Sequence, residues 1–187
     1  MLYHEIIVDA DFCIKLGASE KYRYLERLLP LLADKIYIHE TVNDEVKTPR
    51  GQLESLISDG TVTVLYEKNL SPKDELLYTA TFQQLANVML DKKQPHKNRG
   101  EVSSLAMAKV KGIPCFVTDE RELQDIVDAQ LNTGINDISC VRLIDIIGMI
   151  KDGKIPELTR RDAKLMWIIS GKKKNIFDEE IWPIDTN

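Results

Sequence analysis

Four carboxylates stand where apolar runs give way to helical patterning. Asp9 follows "EIIV", and Asp119 follows "PCFVT". Glu45 comes just after "KIYIHE", and Glu101 opens "EVSSLAMAKVKG". If the four converge in space they repel, and their pKa values rise unless another charge offsets them. A divalent cation is the simplest offset. An all-oxygen set without paired His or Cys suits Mg²⁺ or Mn²⁺ rather than Zn²⁺. Such an ion activates water and stabilises the oxyanions of an in-line phosphoryl displacement. Each acid also has a plainer reading. Asp9 or Asp11 can cap the following helix, and Asp119 the helix after it. Glu45 and Glu101, read in first helical turns, favour the helix dipole. The joint pattern is what points to metal.

The elements that must position these acids alternate. Short apolar runs read as strands at Glu5–Asp9, Lys35–Glu40, Thr61–Tyr66, Pro114–Glu120 and Asp137–Val141. Helical spacing falls at Lys21–Lys35, where Pro30 predicts a kink or break, and at Arg50–Gly60, Ser71–Lys93 and Arg121–Asn132. Thr41 with Asp44 reads as the capping-box start of a helix holding Glu45 in its first turn. Glu101–Gly112 reads as amphipathic, with Val102, Leu105, Ala106 and Val110 on its apolar face. Arg142–Ile150 and Thr159–Gly171 are also helical in spacing, the second capped by Thr159 with Asp162 and stopped by Gly171. The pattern predicts an α/β fold: three α/β/α layers around a five-stranded parallel sheet. Sites in such folds form beyond the carboxyl ends of the strands. Asp9, Glu45 and Asp119 fall there. Glu101 is expected there only if its helix runs the right way, because a helix leading into a strand is expected to start at the opposite edge.

At 187 residues one domain with a sizeable core is expected. Residues 1–150 carry the alternating pattern, and 151–187 add a helical extension and tail expected to pack on the same domain. Hydrophobic residues at 43% and charged residues at 29% are ordinary for a globular protein. No membrane span and no signal peptide are read, so a cytoplasmic location is expected. Cys13, Cys115 and Cys140 lie among apolar neighbours with no CxxC spacing, and read as buried reduced thiols. The net charge of −5 argues against a protein that simply coats nucleic acid, but not against an enzyme with acid gathered at a metal site.

The segments "IIVDADFCIKL", "IYIHETVNDEV" and "NRGEVSSLAMAKVKGIPCFVTDERELQ" occur in an order that resembles the PIN-domain nucleases. The most specific piece, "RGEVSSLAMA…GIPCFVTDER", is similar to a bacterial and archaeal subgroup with "RGE" before the long helix and "DER" or "DDR" after the fourth strand. The resemblance implies an acidic pocket for Mg²⁺ or Mn²⁺ and cleavage of single-stranded RNA. It implies Asp9, Glu45, Glu101 and Asp119 as the catalytic acids, with Asp9, Glu101 and Asp119 as metal ligands. Asp11 and Thr118 follow as candidates for orienting a ligand or water. Many such proteins are toxins held inactive by an antitoxin protein, and others process RNA; a homo-oligomer is a further candidate assembly. Two departures stand out: Asp11 replaces a small polar residue, and Glu101 an acid more often Asp. A non-catalytic PIN-like module binding RNA or a protein partner is the alternative. The resemblance ends near Ile150.

Other motifs point elsewhere with less support. "DADF" is also the D-x-D of haloacid-dehalogenase-like phosphatases, but Phe12–Cys13 departs from their continuation. "TVTVLYEK" lacks the strand-terminal Asp of a receiver domain, and there is no Gly-rich phosphate loop. His4, His39 and His96 do not form a ligand set by spacing, and His96 reads as solvated surface. Two basic runs, Lys92, Lys93, Lys97 and Arg99, and then Lys172–Lys174, ordinarily mean a solvated face. Lys97 and Arg99 are candidates for guiding an RNA backbone, because they precede Glu101. The tail Asn175–Asn187 mixes Ile176, Phe177, Ile181 and Trp182 with acid and is expected to dock on its own domain, with exchange into a neighbour or a partner as the other reading.

Overall fold

The computed structural model describes residues 2–47, 50–91, 93–94 and 97–183. Five parallel strands form one sheet: β1 (Tyr3–Val8), β2 (Ala33–His39), β3 (Val62–Leu65), β4 (Cys115–Thr118) and β5 (Ser139–Arg142). Their spatial order is β3-β2-β1-β4-β5. The order reverses at β1, so its carboxyl end lies at a topological switch point. Ile7 registers with Tyr37 of β2 on one side and Phe116 of β4 on the other.

The apolar run of β1 is explained by burial on both faces. Ile6 and Val8 belong to one core, and Ile7 to the other. Successive side chains alternate, so a strand covered twice must be apolar throughout. The first core is covered by helices α1 (Ala10–Gly17), α2 (Tyr24–Leu32), α4 (Gly51–Ser58), α8 (Leu143–Lys151) and α9 (Arg160–Ile169). The second is covered by α5 (Pro72–Met89), α6 (Arg99–Lys111) and α7 (Leu123–Gln130). The short α3 (Glu40–Glu45) caps the end of β2. The three-layer α/β fold with five parallel strands is as the sequence predicts.

Four local expectations are corrected. Pro30 does not break α2: the helix runs two residues past it, and the chain enters β2 directly at Ala33. Pro30 sits in the last turn, where little helix remains to lose. Thr41 is not the cap of α3. His39 is, its ring accepting from the Thr41 N–H at 3.1 Å, so Glu45 lies in the last turn rather than the first. Asp119 caps no helix, since Glu122 holds that position for α7. Helix α6 is not amphipathic: Val102 through Ala108 are all buried. Its inner face meets the sheet and α5 covers its outer face, so a polar side has no water to face. Small residues there (Ser103, Ser104, Ala106, Ala108) let the layers approach.

The direction expected for α6 is also reversed. In a parallel sheet the helix before a strand runs antiparallel to it, so it starts at the carboxyl edge and descends. The N-terminus of α6 therefore lies beside Asp9 and Glu45.

The C-terminal extension docks on the same core. Phe177 is fully buried, with Trp167 and Trp182 rings 6.4 Å away. Arg160 donates to the Trp182 carbonyl at 2.7 Å, and Lys164 pairs with Asp178 at 2.6 Å. Thr159 and Asp162 form the predicted capping box, and Gly171 ends α9 at φ 79°. Residues 184–187 of the tail lie outside the described residues.

Candidate functional site

Asp9 is the residue on which the carboxyl edge centres. Its backbone N–H continues the ladder to Val117 O at 2.9 Å. Its side chain caps α1, with Oδ1 accepting from the Ala10 N–H at 2.7 Å. So the plain capping reading is correct for one oxygen. The other, Oδ2, is buried and has no hydrogen-bond partner, in a residue only 1% exposed. Burial pushes the Asp9 carboxyl well up, and the Glu101, Asp11 and Glu45 charges push it further; the Ala10 N–H opposes them. An unpartnered buried carboxylate oxygen requires a proton or a cation.

Glu101 arrives from the first turn of α6. Burial raises its pKa, as do the charges of Glu120 and Asp11; its own backbone N–H and Lys97 act against this. Glu45 arrives from the end of α3. The residue is exposed along its length, but its carboxyl leans on Gly100 and accepts from the Gly100 N–H. Partial shielding and the Glu101 charge raise it, while Gly100 and Arg99 act oppositely. A side chain at Gly100 would put its Cβ 2.7 Å from Glu45 Oε2, so glycine is what lets this carboxylate approach the helix.

Asp119 sits at the same edge but turned differently. Its Oδ2 accepts from Lys15 at 3.2 Å and from Lys172. Lys15 also pairs with Asp11 at 2.5 Å. Burial alone would lower the Lys15 pKa; the two carboxylates outweigh it and raise it. Glu120, the next residue, lies beside Glu101, and its charge raises the Glu101 pKa; both line a 310 Å³ cleft with Lys97, Asn98 and Leu123. Thr118 is buried, and its Oγ1 accepts from the Glu120 N–H at 3.2 Å, shaping the turn after β4.

The structure thus brings Asp9, Asp11, Glu45 and Glu101 into one electrostatic group and holds Asp119 beside it on lysines. No three of these acids bring ligand oxygens within 4.8 Å of one another among the described residues. Lys97 and Arg99 are exposed at the mouth, Arg99 beside Glu45 and Lys97 beside Glu101. Lys92 and His96 lie outside the described residues.

One cluster was not read from sequence. His39, Glu40 and Glu67 bring one ligand atom each within 4.8 Å at the ends of β2 and β3. Spacing could not show it, because Glu67 comes from a separate turn after β3. The hydrogen bonds argue against metal there. The Thr41 N–H donates to Nδ1, so neutral His39 carries its proton on Nε2. Nε2 faces the Tyr78 hydroxyl at 3.4 Å and Glu67 at 3.6 Å, and that hydroxyl donates to Glu67 at 2.8 Å. Burial lowers the His39 pKa despite Glu67 and Glu40, so the ring is a neutral, satisfied core histidine.

Comparison of the chain with family models, curated proteins and solved structures gives no match.

Proposed function

We propose that the chain is a divalent-metal-dependent endoribonuclease of the PIN class, acting on single-stranded RNA. The observation that carries this is Asp9: a buried carboxylate with an orphaned oxygen, at the switch point of the sheet, crowded by Glu101, Asp11 and Glu45. A fold gains nothing in stability from that arrangement. A cation there would neutralise it, and the all-oxygen donor set fits Mg²⁺ or Mn²⁺.

In this reading Asp9 and Glu101 hold the ion, with Glu45 supporting it from the Gly100 N–H. The chemistry supplied by the bound ion is polarisation of the phosphate and of the attacking water. The chain's own residues set the rest. Asp9 is fixed by its cap on α1 and cannot swing away. The ammonium of Lys15 ties Asp11 and Asp119 together beside the site. Asp119, held by Lys15 and Lys172, would join the metal ligands only if the ion displaced a lysine. Lys97 and Arg99 at the mouth attract a phosphate backbone towards an otherwise acidic pocket.

The lysine pairing of Asp119 favours a second reading, a PIN-like module that binds without turnover. Melting with and without Mn²⁺, followed by a cleavage assay on mixed-sequence single-stranded RNA, separates the two. Mn²⁺-dependent cleavage that is lost in Asp9→Asn supports the nuclease. Metal stabilisation without cleavage supports the module. Cleavage surviving Asp9→Asn rules out the proposed chemistry.

A further inference from the structure

Lys172–Lys174 reads as a solvated run, yet the three lysines behave differently. Lys173 and Lys174 are exposed, whereas Lys172 turns inward. Its ammonium lies 5.4 Å from the Trp167 ring centroid and pairs with Asp119. Around it is a 240 Å³ cleft lined by Asp119, Arg121, Arg142, Ile144, Trp167 and Lys172. Three cations therefore line the cleft with a single acid, and Lys15 already shares that acid at the same oxygen, Oδ2. Arg142 is held by Asp145 through Nε at 3.2 Å and Nη2 at 3.4 Å, which fixes the fork and leaves other N–H groups to donate. Arg121 is exposed and has no ion pair among the described residues.

We infer that this cleft, built by the C-terminal extension against the end of β4, is a phosphate seat for the nucleic-acid strand. Two guanidinium forks and one ammonium suit a tetrahedral oxyanion with several acceptor oxygens. The Lys172 ammonium has three donors, so it can keep Asp119 and bind phosphate oxygen together. The position supplies the rest of the case. Asp119 lines this cleft while the next residue, Glu120, lines the cleft of Glu101, so a strand with one phosphate at Asp9 and Glu101 can place another against Arg121 and Lys172. Trp167 and Lys172 come from the segment beyond Ile150, which gives the extension a part in binding. The assignment of the ligand as nucleic acid rests on the nuclease reading; the anion seat itself does not.

The test is equilibrium binding in EDTA, so that metal and cleavage play no part. Trp182→Phe leaves Trp167 as the single tryptophan, and its fluorescence reports the cleft. Inorganic phosphate and a mixed-sequence single-stranded oligoribonucleotide are titrated separately and in competition. Binding of both, with mutual competition, is expected. Arg121→Ala should weaken both about tenfold or more. It should also lower the salt slope for the oligonucleotide by about 0.7. Lys172→Gln should do the same. Arg121 is exposed, so its variant should keep the wild-type melting temperature and remain interpretable if Lys172→Gln loosens the extension. Oligonucleotide binding unchanged in Arg121→Ala overturns the proposal. So does a loss confined to inorganic phosphate, which would make the cleft a seat for a free anion. A missing Mn²⁺ effect in the separate melting experiment would count against the nuclease reading and leave this result standing.

Discussion

Asp9→Asn should make the protein more stable while destroying its metal response. The folded state raises the Asp9 pKa, through burial first and then the Glu101, Asp11 and Glu45 charges. A carboxyl with a raised folded pKa contributes stability that is present below its unfolded value, about 3.9. That contribution is lost as pH rises through the folded pKa, because the native state then gives up a proton it held more tightly. At neutral pH without metal, Asp9 is therefore a liability. Asparagine keeps the Oδ1 cap to the Ala10 N–H and places a donor where Oδ2 has no partner. Removing one buried, unpaired and repelled charge is worth about 1–3 kcal/mol. For a chain of this size that raises Tm by roughly 3–9 °C. Melts of both proteins from pH 4 to pH 8 in EDTA should show a gap that opens as pH rises. Saturating Mn²⁺, at a hundredfold excess over Kd, should stabilise wild type by about 2.7 kcal/mol and Asp9→Asn far less. A variant destabilised at neutral pH, or an equal Mn²⁺ effect in both, would refute the reasoning.

Three other perturbations separate the parts of the site. Gly100→Ala should hold or gain up to about 1 kcal/mol through helix propensity, because the atom it meets is the flexible end of Glu45. It should still weaken Mn²⁺ binding about tenfold by displacing that carboxylate, read as a shifted Mn²⁺ dependence of Tm. Glu67→Gln should leave the Mn²⁺ response intact and cost below about 1 kcal/mol, since the Glu67 side chain meets His39 and Tyr78 among the described residues; a lost response would move the ion to that cluster. Phe177→Ala should cost about 3–5 kcal/mol in urea denaturation, because the ring is fully buried between Trp167 and Trp182; a cost under 1 kcal/mol would mean the tail is not part of the core.

Local pattern carried the strands and most helices into the open. The acids at the ends of β1 and β4 could be placed because an apolar run stopping at a charge marks where a doubly covered strand leaves the core. What stayed hidden depends on contacts between distant segments. The amphipathic reading of Glu101–Gly112 failed because α5 supplies a second apolar neighbour, which no window on α6 contains. The Thr41 capping pattern places Glu45 too early in its helix, because a histidine ring, a rare cap, begins α3 two residues sooner at the strand end. Nothing near Asp119 in sequence announces Lys15 or Lys172, so its type and position alone group it with the other acids. A lysine run looks the same whether or not one member, here Lys172, turns inward.

The central place of β1 has a consequence for how the chain assembles. Its β2 neighbour follows after a crossover through α1 and α2, but its β4 neighbour lies more than half the chain away. A nascent or partly refolded molecule can pair β1 with β2 early, while the other border of β1 stays open until residues 115–118 arrive. Such distant pairings slow folding and leave an unpaired edge exposed meanwhile. The Asp9 N–H donates to the Val117 carbonyl across that last seam, so a chain lacking β4 already carries Asp11, Glu45 and Glu101 but lacks the backbone bond that fixes Asp9 at the carboxyl edge.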